Sequence, residues 1–125
     1  MKLSKLVDPT FQTALKKLST QDIPFRSAFK LKGMIKQVNE ALADYENVRV
    51  DALKRFGEKD DKGELVVAEG GSVKLSEENA QGFVKELQDL LNDNIDIGSL
   101  KVADLGDKLS MSAAELMALE DILLD

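Results

Sequence analysis

The hydrophobic and polar positions of residues 25–57 follow the spacing of one long amphipathic helix. Apolar side chains recur every three or four residues, which is the period of a helix face and not of a strand. The positions of this seam are Ala28, Leu31, Ile35, Val38, Leu42, Tyr45, Ala52 and Phe56. The seam from Ala28 to Phe56 extends over roughly 40 Å of helix, and Gly57 ends the helix as a left-handed C-terminal residue. Its apolar face must be covered by the rest of the chain or by another molecule.

A few positions depart from the regular seam of this helix. Arg49 occupies a seam position, so its side chain is expected to reach solvent, to pair with a carboxylate of the second half, or to contact a partner. Met34, Ala41 and Val48 widen the apolar face on one side, and with Arg49 they are candidate partner-binding residues. Gly33 is unfavourable inside a helix by about 1 kcal/mol, which predicts a kink or a close crossing by a neighbouring element.

Two shorter helices are predicted on either side of the long one. Asp8 as N-cap and Pro9 at the first helical position begin a helix over 8–19. Ser76, followed by two glutamates, begins a second helix over 76–92. This second helix is expected to pack antiparallel to the long helix.

The last predicted helix covers residues 112–124 and has the clearest local signature of the chain. Ser112 and Glu115 have the spacing of a capping box. Leu116, Leu119 and Leu123 share one face, which either docks on the core of this chain or lies in a groove of another protein. These three leucines are therefore also candidate partner-binding residues.

Short β elements are predicted between the helices. Two runs of β-branched and apolar residues around Gly70 and Gly71 indicate a hairpin over 64–75. Because an isolated hairpin is marginal in water, residues 94–103 are a candidate for a third strand. The predicted fold is α+β, mainly α, in a single domain over 1–125. It has a long central helix, an antiparallel partner helix, a small β-hairpin or sheet, and short terminal helices.

The composition narrows the chemistry open to this chain. Its 125 residues include neither cysteine nor histidine, so thiolate and imidazole ligands, bases and nucleophiles are absent. No catalytic motif is present, and we expect no enzymatic activity, no cofactor and no metal site. No apolar run approaches the roughly 20 residues of a membrane span, and the first residues lack the pattern of a secretory signal.

The charge is distributed unevenly along the chain. Residues 1–57 carry 11 Lys and Arg against six Asp and Glu, whereas residues 58–125 carry six against 17. Either the two halves fold against each other, or the acidic half faces a basic partner. The basic residues Arg26, Lys30, Lys32 and Lys36 are expected to pair with carboxylates of this same chain, because no phosphate-binding loop accompanies them.

A long helix with a basic first half closes with the stretch Leu53-Lys54-Arg55-Phe56-Gly57-Glu58-Lys59-Asp60-Asp61-Lys62-Gly63. It is followed by a short apolar strand, the acidic helix Phe83-Val84-Lys85-Glu86-Leu87-Gln88-Asp89-Leu90-Leu91 and the run Ile95-Asp96-Ile97. Over residues 24–123 this order resembles a family of small proteins of unknown function from tailed phages and prophages of Gram-positive bacteria. The resemblance implies a phage origin and provides no functional residues.

These observations lead to two main hypotheses of function; a third, a carboxylate-metal enzyme, would need several of the 23 acidic residues to converge in one pocket. The first is a non-enzymatic phage or prophage protein that acts through protein contacts, as a virion component or assembly factor. Its expected partners are phage structural proteins or further copies of itself, with no direct contact to nucleic acid or membrane. The alternative is a small acidic inhibitor that mimics nucleic acid and occupies the site of a host or defence enzyme. Either protein is expected in the host cytoplasm or the virion.

Overall fold

The computed structural model describes residues 1–67 and 70–125 and has the predicted α+β, mainly helical architecture. The elements are α1 (Leu3–Leu6), α2 (Pro9–Ser19), α3 (Phe25–Phe56), α4 (Glu77–Leu91), β1 (Leu100–Lys101), a 3₁₀ helix (Val102–Leu105), α5 (Ala113–Ala118) and β2 (Leu123–Leu124). The chain divides into two compact units. Unit 1 consists of Met1–Leu42 and Asn94–Asp125, and unit 2 consists of Ala43–Asp93. The single domain over 1–125 stays a prediction.

The long helix α3 runs uninterrupted from Phe25 to Phe56, within one residue of the predicted bounds. Apart from its chain neighbours and its own helix backbone, a Cβ atom added to Gly33 would meet no described atom within 4 Å. No neighbouring element of the described chain therefore crosses α3 closely at this glycine. Within the same residues, no helix combines the length and the apolar character that crossing a membrane requires.

Unit 1 contains a tightly packed aliphatic core. The apolar stripe of α2 is buried, and α2 packs against α1 and α5. The Asp8 carboxylate accepts a hydrogen bond from the Thr10 N–H at 2.9 Å and caps α2 as predicted. The largest fully buried side chains all belong to this unit: Leu6, Phe11, Leu18, Leu105, Leu119 and Ile122.

The small sheet of unit 1 differs from the expected pairing. Within the predicted strand region 94–103, only β1 is a strand, and it pairs in parallel with β2. Leu100 lies opposite Leu123, and the Leu100 N–H donates to the Ile122 carbonyl at 2.7 Å. Asn94 instead forms a single antiparallel bridge with Lys2. The prediction that 94–103 adds a third strand to the hairpin is therefore wrong.

The predicted helix over 112–124 is correct at its beginning and wrong at its end. The Ser112 and Glu115 side chains form the predicted capping box, but α5 ends at Ala118. Leu123 and Leu124 form β2 instead, and the side chain of Ile122 is buried in the core of unit 1. A short run of apolar residues fits a helix or a strand equally well, so its spacing alone could not predict this change.

In unit 2, α4 packs against α3 as the predicted antiparallel partner helix. The Ser76 hydroxyl accepts from the Asn79 N–H at 3.2 Å and caps α4. A Cβ atom on Gly82 would lie 3.0 Å from the Phe56 ring, so the two helices approach closely at this point. Arg55 and Glu86 form an ion pair between the helices.

The predicted hairpin over 64–75 appears as isolated pairings and not as two regular strands. Antiparallel bridges join Lys59 to Leu65 and Val67 to Val73. Gly70 and Gly71 adopt positive φ angles of 97° and 90°, as expected for a turn. Residues 68 and 69 of the predicted hairpin lie outside the described residues.

Gly57 ends α3 for a reason different from the predicted one. Its φ angle is not in the left-handed region, whereas the φ angles of Gly63 and Gly70 are. A Cβ atom at position 57 would instead lie 2.6 Å from both the Leu53 carbonyl oxygen and a Leu65 methyl group. Glycine is required here because the following segment packs directly against the end of the helix.

Candidate protein-interaction face

The first half of α3 buries one side in the core of unit 1. Leu31, Met34 and Val38 are almost completely buried. Ser27 is also buried, and its hydroxyl donates to the Asp104 carbonyl oxygen at 2.6 Å. These contacts fix the rotation of the helix about its axis, and therefore determine which side chains point to solvent.

Two phenylalanines lie on the opposite side of α3. At about 100° per residue, Phe25 and Phe29 are on the side of the helix away from Met34. Phe25 is 83% exposed and Phe29 is 68% exposed. Their ring centroids are 6.4 Å apart with the planes inclined by 29°, so the rings stack on each other. We refer to Phe25 and Phe29 as the aromatic pair.

Basic residues surround the aromatic pair. Among the residues that the structure describes, none of the cations Arg26, Lys30, Lys32 and Lys36 has a carboxylate oxygen within 4.0 Å. The expected pairing of these cations with carboxylates of the same chain is therefore not found in the described structure. The aromatic pair, these four cations and Gly33 are called the outer face below.

A groove lies on each side of the outer face, and both grooves belong to unit 1. One encloses about 570 Å³ and is lined by Arg26, Lys30, Lys101 and Leu124, with Asp104 as its acidic residue. The other encloses about 230 Å³ and is mainly apolar; its lining includes Ile23, Ala28, Lys32 and Ile35. The outer face therefore combines exposed aromatic surface with concave, cation-bearing edges.

Two of the predicted partner-binding residues are inside the core of unit 1. Met34 is 3% exposed and Leu119 is fully buried, so neither side chain is accessible to a partner. Leu116 in α5 and Leu123 in β2 are half-buried. The partner-binding assignment is wrong for Met34 and Leu119, because the chain itself covers both side chains.

The other predicted residues lie on the long helix away from the aromatic pair. Ala41 is half-buried, and Val48 is exposed. The half-buried Arg49 donates from Nε to a Glu46 carboxylate oxygen at 2.9 Å, one turn earlier on α3. This hydrogen bond raises the pKa of Arg49 and lowers the pKa of Glu46. Arg49 is therefore paired within its own helix rather than with the second half of the chain.

The aromatic pair was missed by the reasoning from the sequence, although a signal was present. The seam defines the buried side of the helix, and Phe29 lies off the seam between Ala28 and Lys30. Phe25 and Phe29 are four residues apart, so both rings are expected on one charged face of the helix, and adjacent exposed aromatic residues form the kind of apolar patch that marks a contact surface. Attention to the residues off the seam would have identified this position.

Among the described residues, the carboxyl group with the most strongly shifted pKa is in the capping box of α5. Lys17 donates to the Glu115 carboxylate at 2.8 Å, and the Ser112 N–H donates to it at 2.9 Å. These bonds favour the ionised form and lower the pKa of Glu115 to about 2. The ion pair joins α2 to α5 in unit 1, so its role is structural.

In the described part of the chain, no group of three or more carboxylates is arranged to hold a metal ion. No protein-family model, no curated protein and no solved structure matches this chain.

Proposed function

We propose that this protein acts without catalysis, through contacts with other proteins, as a component or assembly factor of a phage or prophage particle. The observation that supports the contact function is the exposed aromatic pair on α3. Burying a phenylalanine side chain is worth about 1.5–3 kcal/mol, and the fold leaves two such side chains in water. Burial by a partner protein would recover this free energy.

The assignment to a phage particle has a different basis. It depends on the resemblance of residues 24–123 to small proteins of tailed phages, and not on the geometry of the outer face. The test is light scattering of the free protein together with mass spectrometry of purified particles. Presence in particles or in a defined assembly supports the proposal. A strictly monomeric protein that is absent from particles contradicts it.

A second candidate function is supported by the charge of unit 2. This unit carries 13 Asp and Glu against seven Lys and Arg, and carboxylates can imitate the phosphates of nucleic acid. An acidic inhibitor of a host or defence enzyme would use this unit. Capture of a nucleic-acid enzyme that is inhibited by the protein and released by salt would favour it; capture of phage structural proteins alone would favour the first proposal.

A further inference from the structure

We infer that the outer face of α3 binds an acidic amphipathic α-helix of another protein. This inference rests on the proposed contact function and adds the surface and the chemistry of the partner. The outer face carries exposed apolar surface, positive charge without an ion pair among the described residues, and a glycine with open space above it. Each of these three features restricts the kind of partner that fits.

The shape of the outer face favours a helix as the occupant. From Phe25 to Lys36 the helix rises about 17 Å, which matches about three turns of a second helix. Gly33 lies about two turns after Phe25, where the absence of a Cβ atom leaves the α3 backbone open to close approach. A helix that inserts apolar side chains beside the aromatic pair could therefore pass directly over Gly33.

The charge of the outer face favours an acidic occupant. Arg26, Lys30, Lys32 and Lys36 have no ion pair among the described residues, and Lys101 adds a fifth cation at the edge of the larger groove. Glutamate or aspartate side chains beside the apolar stripe of a partner helix could reach these cations. Complementary charges accelerate association and disfavour partners of the wrong sign.

Charge also argues against two other occupants. In a symmetric dimer through this face, the four cations of one copy would meet the same four cations of the other, which is repulsive. Single-stranded nucleic acid could stack on aromatic rings, but the chain as a whole has a net charge of −6. Both occupants are outcomes that the experiment distinguishes.

The probe is a fluorescein-labelled synthetic peptide of about four helical turns, with leucines on one face and glutamates on both sides of it. Fluorescence anisotropy measures its binding to the full chain. We expect saturable binding that weakens at least tenfold between low salt and about 1 M salt, where the Debye length is roughly 3 Å. A peptide with lysine in place of every glutamate is expected not to bind.

Variants of the protein locate the binding site. The double variant Phe25→Ser with Phe29→Ser should weaken binding more than tenfold, and Gly33→Leu should weaken it similarly because its side chain blocks the approach. The matched control is Met117→Ser, since Met117 in α5 of the same unit is also 68% exposed. Circular dichroism verifies that each variant remains folded, which is expected because the substituted side chains point to solvent.

Several results would overturn the inference. These are no binding of the glutamate peptide, equal binding by the double phenylalanine variant, tighter binding of an oligothymidine, or self-association that the double variant abolishes. The proposed function fails on a different observation, namely a strictly monomeric protein that is absent from particles. If the double variant enters particles as efficiently as the unmodified protein, the contact function stands and only the assignment to the outer face is lost.

Discussion

Unit 1 and unit 2 bury their apolar residues to different extents. The core of unit 1 contains many nearly inaccessible side chains. Among the described residues of unit 2, only Ala52 and Gly57 are buried, and α4 has no buried residue although it is clearly amphipathic. Unit 1 carries equal numbers of acidic and basic residues, whereas unit 2 has a net charge of −6.

The difference shows that a well-packed core and an exposed apolar surface can belong to the same unit. Unit 1 has the more complete core, and it also carries the most exposed aromatic residues, Phe25 and Phe29. Their exposure is therefore not a consequence of poor packing. In unit 2, half-buried apolar residues follow from the small size of the unit, which limits how much surface it can bury.

The largest difference between the units is expected for phenylalanine truncations. Phe11→Ala removes a fully buried ring from unit 1 and should destabilise it by about 3–5 kcal/mol. Phe83→Ala removes a half-buried ring from α4 and should cost less than about 2 kcal/mol. Urea unfolding with hydrogen exchange measures both changes. An equal or larger cost at Phe83 would show that the core of unit 2 is as complete as that of unit 1.

The next largest effect is expected for a substitution at Gly57, where the packing in unit 2 is closest. Gly57→Ala places a methyl group against the Leu53 carbonyl and the Leu65 side chain, so it should destabilise unit 2 by about 1–3 kcal/mol. Hydrogen exchange should show the loss of protection in unit 2. Unchanged stability would mean that the segment after α3 can move away at little cost.

Gly33→Ala is the matched substitution in the part of α3 that belongs to unit 1. Because no described atom outside the neighbouring helix backbone lies within 4 Å of the new methyl group, the gain in helix propensity should stabilise the protein by up to about 1 kcal/mol. Thermal unfolding measures the change. A destabilised variant would contradict the open space above Gly33 and weaken the case for a partner helix there.

The smallest expected effect is the pH dependence of the Glu115 ion pair. The folded pKa of about 2 is below the ordinary value of 4.5, so the carboxylate stabilises unit 1 fully above about pH 4.5. This contribution is lost as the pH falls from 4.5 towards 2. Hydrogen exchange in α5 should report the loss. Glu115→Gln keeps the size and the acceptor oxygen of the side chain but removes its charge. In this variant the stability of α5 should no longer change between pH 4.5 and 2 through residue 115.

The sequence predicted the elements whose signals are local. Four helices begin within a residue or two of their predicted positions. Three of these beginnings were predicted from the N-caps Asp8, Ser76 and Ser112, and the fourth from the long seam of α3. These signals succeed because capping and helical periodicity involve neighbouring residues only. The α+β, mainly helical architecture follows from them.

The predictions that failed concern contacts between residues that are far apart in the chain. The pairing of Leu100 with Leu123 and the burial of Leu119 are decided by tertiary contacts, which no local pattern contains. The partner-binding assignments of Met34 and Leu119 failed for a related reason. Both residues were chosen from apolar helix faces that the fold of unit 1 covers, whereas the exposed aromatic pair lies on the charged side of α3.

Unit 1 is discontinuous in sequence, and this has a consequence for how the protein forms during translation. Residues 43–93 leave the ribosome before the segment that contributes Leu105, Leu119 and Ile122 to the core of unit 1. The N-terminal segment of unit 1, which contains Phe11 and Leu18, therefore exposes apolar surface until the C-terminal segment has been synthesised. Chaperone dependence should consequently be concentrated in the more tightly packed unit.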